Sequence, residues 1–163
     1  MVIEIICQAI VNREFSGGCS LAVRPHYSDI KKGRFTESKK YDFVYLDNKH
    51  RLTTLFLDSW DASREEMAEF ANLIYHSAMV ISTCSSLVLD GAMLDRPLIS
   101  IAFDAIPQKE FRHKVDYLYS FSHFNDVKKT GAVAFVYTPE ELKASINGYL
   151  NNPEADSLNR KNM

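Results

Sequence analysis

The sequence predicts a three-layer α/β domain on an open, mainly parallel sheet, and three observations carry that prediction. Short apolar, β-rich runs alternate with longer stretches of helical periodicity. Residues 78–103 read strand, hydroxyl-rich turn, helix, strand: the run Ala78 to Ile81 enters a cluster of hydroxyls, and Leu98 to Phe103 follows a stop at Pro97. A chain of 163 residues, 46% hydrophobic and 25% charged, has the profile of one globular domain with a real core. The domain is expected over 1–155, with a polar C-terminal tail at 156–163.

Val2, Ile6, Ala9 and Ile10 oppose Glu4, Gln8 and Asn12, which predicts a mostly buried first helix ended by Gly17-Gly18. Its β-branched residues make a strand the competing assignment. Cys19 to Val23 is a short strand running into Arg24-Pro25-His26. Residues 28–40, with Lys31, Lys32, Arg34, Lys39 and Lys40, read as an exposed basic loop. Tyr41 to Leu46 and Leu52 to Leu57 read as strands separated by a turn at Asp47-Asn48-Lys49-His50. Asp61 or Ser63 caps the next helix, whose buried face holds Met67, Phe70, Ala71, Ile74 and Tyr75; Ser63 and Glu66 have capping-box spacing.

After the strand–turn–helix unit, a helix is expected from Phe111 to Lys128, a turn at Thr130-Gly131, and a strand from Ala132 to Tyr137. Thr138-Pro139-Glu140-Glu141 opens the last helix with a hydroxyl cap, proline at the first position and acids in the first turn. Leu142, Ile146, Tyr149 and Leu150 form its inward stripe, and Asn151 to Met163 is expected to be loose. There is no internal repeat.

A formal charge of −2 supplies no field for holding nucleic acid, so an anionic ligand has to be bound locally. Cys7, Cys19 and Cys84 are odd in number and lack disulfide or metal spacing, which suits a reducing cytoplasm. The N-terminus has neither the basic segment nor the cleavage site of a signal peptide, and no apolar run has membrane-spanning length. A cytoplasmic protein is expected, with peripheral attachment to the inner face of a membrane left open.

In open α/β sheets ligands sit outside the carboxyl ends of the strands. That rule gathers Arg24–His26, Asp58–Trp60, Ser82–Ser86 and Asp104 at one edge. Arginine offers a forked pair of donors that matches phosphate oxygens, and His26 adds another; the plain alternative is a structural turn with a surface Arg and His. Ser82, Thr83, Ser85 and Ser86 stand where a helix begins, so free N–H groups and the helix dipole favour an anion there. Capping explains Ser85 and Ser86 equally well. Asp90 follows one turn later, placed for the paired hydroxyls of a ribose or simply as a solvated acid near Arg96. Gly91 lowers helix propensity by ~1 kcal/mol, a cost tolerated where a neighbouring element comes close.

Trp60 can stack on a base or serve as a packing tryptophan. Cys84 with His76 as base would be a nucleophile pair, yet no spacing supports it against a buried small residue. His50, His113 and His123 lack metal-ligand spacing, and no metal is expected. Tyr117, Tyr119, Phe121 and Phe124 read as helix core.

Arg24-Pro25-His26 together with Ser82-Thr83-Cys84-Ser85-Ser86-Leu87-Val88-Leu89-Asp90-Gly91 and the following Ala92 to Ile99 resembles the C-terminal donor-binding domain of GT-B-fold transferases. The likeness is to CDP-glycerol glycerophosphotransferase-like enzymes and surface-polysaccharide glycosyltransferases, more distantly to sugar-nucleotide 2-epimerases, and covers roughly residues 15–155. It implies a Rossmann-like domain, one half of a GT-B fold, that binds a CDP- or UDP-linked donor as substrate and carries no cofactor. The donor diphosphate would meet Arg24, His26, Thr83, Ser85 and Ser86. Asp90 would face the ribose, with Asp58 and Trp60 near the base. His26 could act electrostatically on the departing diphosphate; no catalytic base is assigned.

Tyr27, Cys84 and Gly91 depart from residues common in the family. The resemblance also implies a partner, the N-terminal acceptor-binding domain or subunit. The rival readings are a UDP-sugar 2-epimerase-like enzyme and a non-catalytic Rossmann-like binding module.

Overall fold

All strand pairing among the described residues is parallel. The computed structural model describes residues 1–26, 29, 33–47 and 63–163. The backbone gathers into two units, one made of Met1–Ser16 and Ala71–Met163, the other of Gly17–Phe70.

In the larger unit, β3 (Val80–Ser82), β4 (Leu98–Ile101) and β5 (Ala134–Val136) form a parallel sheet in that order. Val80 pairs with Leu98 and Ser82 with Ser100; Ile99 pairs with Ala134 and Ile101 with Val136. Alternate side chains of a strand leave opposite faces. Leu98 and Ile99 are both fully buried and Ser100 and Ile101 nearly so, which means that both faces of β4 are covered. Burying an aliphatic side chain of this size contributes about 1.5–3 kcal/mol, so β4 is the core of this unit.

Helix α3 (Leu87–Met93) joins β3 to β4 and buries Val88, Gly91 and Ala92. A Cβ on Gly91 would overlap Leu98 Cδ2 and lie 3.5 Å from Val80 Cγ2. The glycine is there because the helix runs against the sheet. Helix α6 (Pro139–Asn151) buries Leu142, Ile146 and Tyr149; Thr138 Oγ1 accepts from Glu141 N at 3.1 Å, the cap expected from Thr-Pro-Glu-Glu. Helix α1 (Val2–Val11) buries Ile6, Cys7 and Ala9. Asn147 ties the segment after α1 to α6, accepting from Ser16 N at 2.9 Å and donating to Glu14 O at 2.8 Å.

In the smaller unit, β1 (Leu21–Val23) pairs with β2 (Val44–Leu46) in the register Leu21↔Val44 and Val23↔Leu46. Between them the basic segment holds a 3₁₀ turn, Thr36–Lys40, with Ser38 buried. Helix α2 (Arg64–Tyr75) spans the boundary between the units. Ser63 Oγ accepts from Glu66 N at 3.2 Å and so caps this helix, while Asp61, the other candidate, lies outside the described residues.

Several expectations are corrected. The helix from Phe111 to Lys128 is three pieces: a 3₁₀ turn at Phe111–His113, α4 (Val115–Leu118) and α5 (Ser122–Thr130). The break lets Tyr119 enter the core, and Phe121 takes an extended conformation before α5. Of the aromatic series, Tyr119 and Phe124 are buried, whereas Phe121 is exposed.

The stripe on α2 buries only Ile74; Met67 and Tyr75 stay exposed. The tail is tied down. Residues Ser157–Lys161 form α7, and buried Arg160 donates to Asp95 Oδ1 at 2.9 Å and to the Ala155 carbonyl. Leu52–Leu57, expected as a strand, lies outside the described residues. No helix among the described residues is long and apolar enough to cross a membrane.

Candidate functional site

The carboxyl edge of the β3–β4–β5 sheet is where the hydroxyl-rich segment falls. β3 ends at Ser82, and the turn 83–86 leads directly into α3. Ser85 Oγ accepts from Leu87 N at 3.2 Å, and Leu89 N donates to the Ser86 carbonyl at 2.8 Å. Val88 N donates to the Ser85 carbonyl at 3.5 Å. These first-turn N–H groups are thus engaged within the turn, and α3 has only seven residues. The anion attraction expected from free N–H groups is correspondingly small; what the turn presents outward is side-chain hydroxyls, with Thr83 and Ser86 exposed.

Cys84 points inward. Its thiol donates to the Leu118 carbonyl at 3.3 Å and packs against the Ala102, Tyr119 and Phe124 cluster. Burial pushes its pKa up, which disfavours the thiolate a nucleophile requires. Asp90 is half-buried, and burial also raises its pKa. Asp104, after β4, accepts from Val115 N at 3.2 Å and so anchors α4 beside this edge.

Ser100 and Tyr119 complete the edge and were missed as site residues. Their signal is faint in the sequence: one hydroxyl inside the apolar run Leu98 to Phe103, and one phenol in an aromatic series. Ser82 Oγ, Ser100 Oγ and Tyr119 OH are sealed from solvent without a hydrogen-bond partner among the described residues. An unpaired buried hydroxyl costs about 1–3 kcal/mol.

Arg24 and His26 belong to the Gly17–Phe70 unit. Arg24 Nη1 donates to Asp47 Oδ2 at 2.7 Å, Nη2 donates to Glu66 Oε1, and the guanidinium lies 5.0 Å from the centre of the Phe70 ring. Its side chain is 14% exposed, against 12% for Asp47 and 11% for Glu66. The forked donors expected for phosphate are directed at two carboxylates of the same unit. Pro25 is buried, and His26 is exposed with its carbonyl accepting from Asp29 N at 2.8 Å.

Thr83, Ser85, Ser86 and Asp90 therefore share one unit, Arg24 and His26 the other, and Asp58 and Trp60 lie outside the described residues. Among the described residues no three His, Cys, Asp or Glu side chains converge as a metal site. No family model, no curated protein and no solved structure matches this chain.

Proposed function

We propose that the chain is the nucleotide-donor-binding half of a glycosyl- or glycerophospho-transferase acting in surface-polysaccharide or teichoic-acid-like polymer synthesis. The observation that carries this reading is the carboxyl edge of a parallel α/β sheet at which Ser82 ends β3, paired with Ser100 one residue before the end of β4, and Thr83, Ser85 and Ser86 follow. Such edges are the ligand sites of open α/β sheets. The donor would be CDP- or UDP-linked, with Thr83, Ser85 and Ser86 along its diphosphate and Asp90 toward its ribose. The acceptor and the catalytic base would come from a further domain or subunit. This reading implies action in the cytoplasm, at the inner face of the membrane where such polymers begin.

One observation favours a second reading, a non-catalytic Rossmann-like binding module: Arg24 already bonds Asp47 and Glu66. Calorimetric titration of the full chain with CDP, UDP and GDP tests both. Donor binding predicts a dissociation constant below millimolar for at least one nucleotide, weakened in the Thr83→Ala, Ser86→Ala double variant. Absence of binding to all three removes the donor reading. Binding without turnover, even with a supplied acceptor half, supports the module.

A further inference from the structure

Ser82 and Ser100 are in register on β3 and β4, so their side chains leave the same face of the sheet near its carboxyl edge. Val80 and Leu98, two residues earlier on the same strands, belong to that face, against which Gly91 of α3 packs. Ser100 also pairs with Phe135 of β5, and the Tyr119 ring meets Phe135 edge-on, with centroids 5.4 Å apart. The Tyr119 phenol lies close enough to Ser100 to feel it, without the pair reaching hydrogen-bond geometry. Ser82 and Ser100 thus lie side by side on one face of the sheet, and Tyr119 reaches that face beside Phe135 and Ser100.

Their chemistry is uniform. Ser100 is 1% exposed and Tyr119 5%, and all three oxygens lack a partner among the described residues. Burial pushes the Tyr119 pKa up to about 12 and raises that of the neighbouring Cys84, so the surroundings stay neutral near pH 7. The Lys128 ammonium sits 5.5 Å from the centre of the Tyr119 ring and 5.4 Å from that of Phe135, as a cation over two ring faces. A buried anion here would carry a large desolvation cost, and no charged group among the described residues hydrogen-bonds any of the three oxygens. A neutral O–H, able to donate once and accept twice, satisfies all three.

We propose that Ser82, Ser100 and Tyr119 form a binding site for one neutral hydroxyl oxygen, supplied by an internal water or by a polyol ligand entering past the Thr83–Ser86 turn. The polyol source rests on the donor reading above; the water source does not. A single oxygen bonded to several otherwise unpaired buried groups is the usual form of such a site.

The test is near-atomic diffraction from the full chain, crystallised without polyol and again with glycerol as the probe. The expected result is an oxygen within hydrogen-bond distance of all three hydroxyls. Water in both crystals identifies solvent as the source, and replacement by a glycerol hydroxyl identifies a polyol site. Ser100 Oγ bonded directly to Tyr119 OH, with no third oxygen, overturns the proposal.

Stability gives an independent readout, since Tyr119→Phe keeps the ring packing and Ser100→Ala removes one small group. Each is expected to lower the Tm by about 2–4 °C. An unchanged or raised Tm in both means that the hydroxyls are merely unpaired. Failure of the nucleotide titration beside a bound oxygen removes the donor reading and leaves this site standing.

Discussion

Arg24→Ala separates a structural guanidinium from a ligand-binding one. The substitution would take from Asp47 and Glu66 the guanidinium that bonds both, in a place where both are about one-tenth exposed. Removing one partner of a buried ion pair costs about 3–5 kcal/mol. Residual solvent contact puts this case near the lower end, about 3 kcal/mol. Arg24→Lys keeps the charge but loses the fork, so it serves one carboxylate and should cost less.

The triple replacement Arg24→Met, Asp47→Leu, Glu66→Met removes these three charges together and should recover part of the stability that Arg24→Ala loses. Urea unfolding followed by Trp60 fluorescence reads the effect, because Trp60 is the single tryptophan and belongs to this stretch of chain. An Arg24→Ala midpoint equal to that of the parent, together with weaker nucleotide binding, would refute the structural role and return Arg24 to the ligand.

Gly91→Ala is expected to destabilise by about 1–3 kcal/mol through overpacking against Leu98, with partial recovery on adding Leu98→Val; equal unfolding midpoints for parent and Gly91→Ala would contradict the close approach. Asp95 supplies a pH dependence. Burial alone would raise its pKa, but the hydrogen bonds from Ser157 and Arg160 outweigh burial and hold it below the ordinary 3.8. A depressed folded-state pKa gives stability that is present above 3.8 and lost as pH falls through the lower folded value. Protection factors in α7, taken against the intrinsic exchange rate at each pH, should therefore fall across that acid window, and Asp95→Asn should abolish the dependence. Iodoacetamide should label Cys84 slowly at neutral pH, since its thiol is partly buried, bonded to the Leu118 carbonyl and raised in pKa. Labelling as fast as a free thiol would reinstate the nucleophile.

Local chemistry was legible where one residue type has one dominant use. Thr138 with Pro139 marked the start of α6, Thr130-Gly131 a turn, at which Gly131 is the αL cap of α5, and Ser63 with Glu66 the start of α2. Gly91 was legible as a close approach, though not what it approached. The parallel α/β class followed from alternation, while strands of three or four residues are shorter than the apolar runs that contain them.

What failed depends on contacts far along the chain. Aromatic spacing from Phe111 to Lys128 suits a helix, but burying Tyr119 beside Phe124 and Phe135 requires the chain to bend there. The polar composition of 156–163 concealed Arg160, whose partners are Asp95 and two carbonyls. Arg24 stands out in the sequence beside Pro25 and His26, but nothing near it announces that Asp47 and Glu66 take its donors.

The most direct measurement is backbone-amide NMR of the full chain during titration with UDP and with CDP. Donor binding at the sheet edge predicts saturable shifts at residues 82–86 and at Asp104. No saturable shift there with either nucleotide, or shifts confined to other segments, would contradict it.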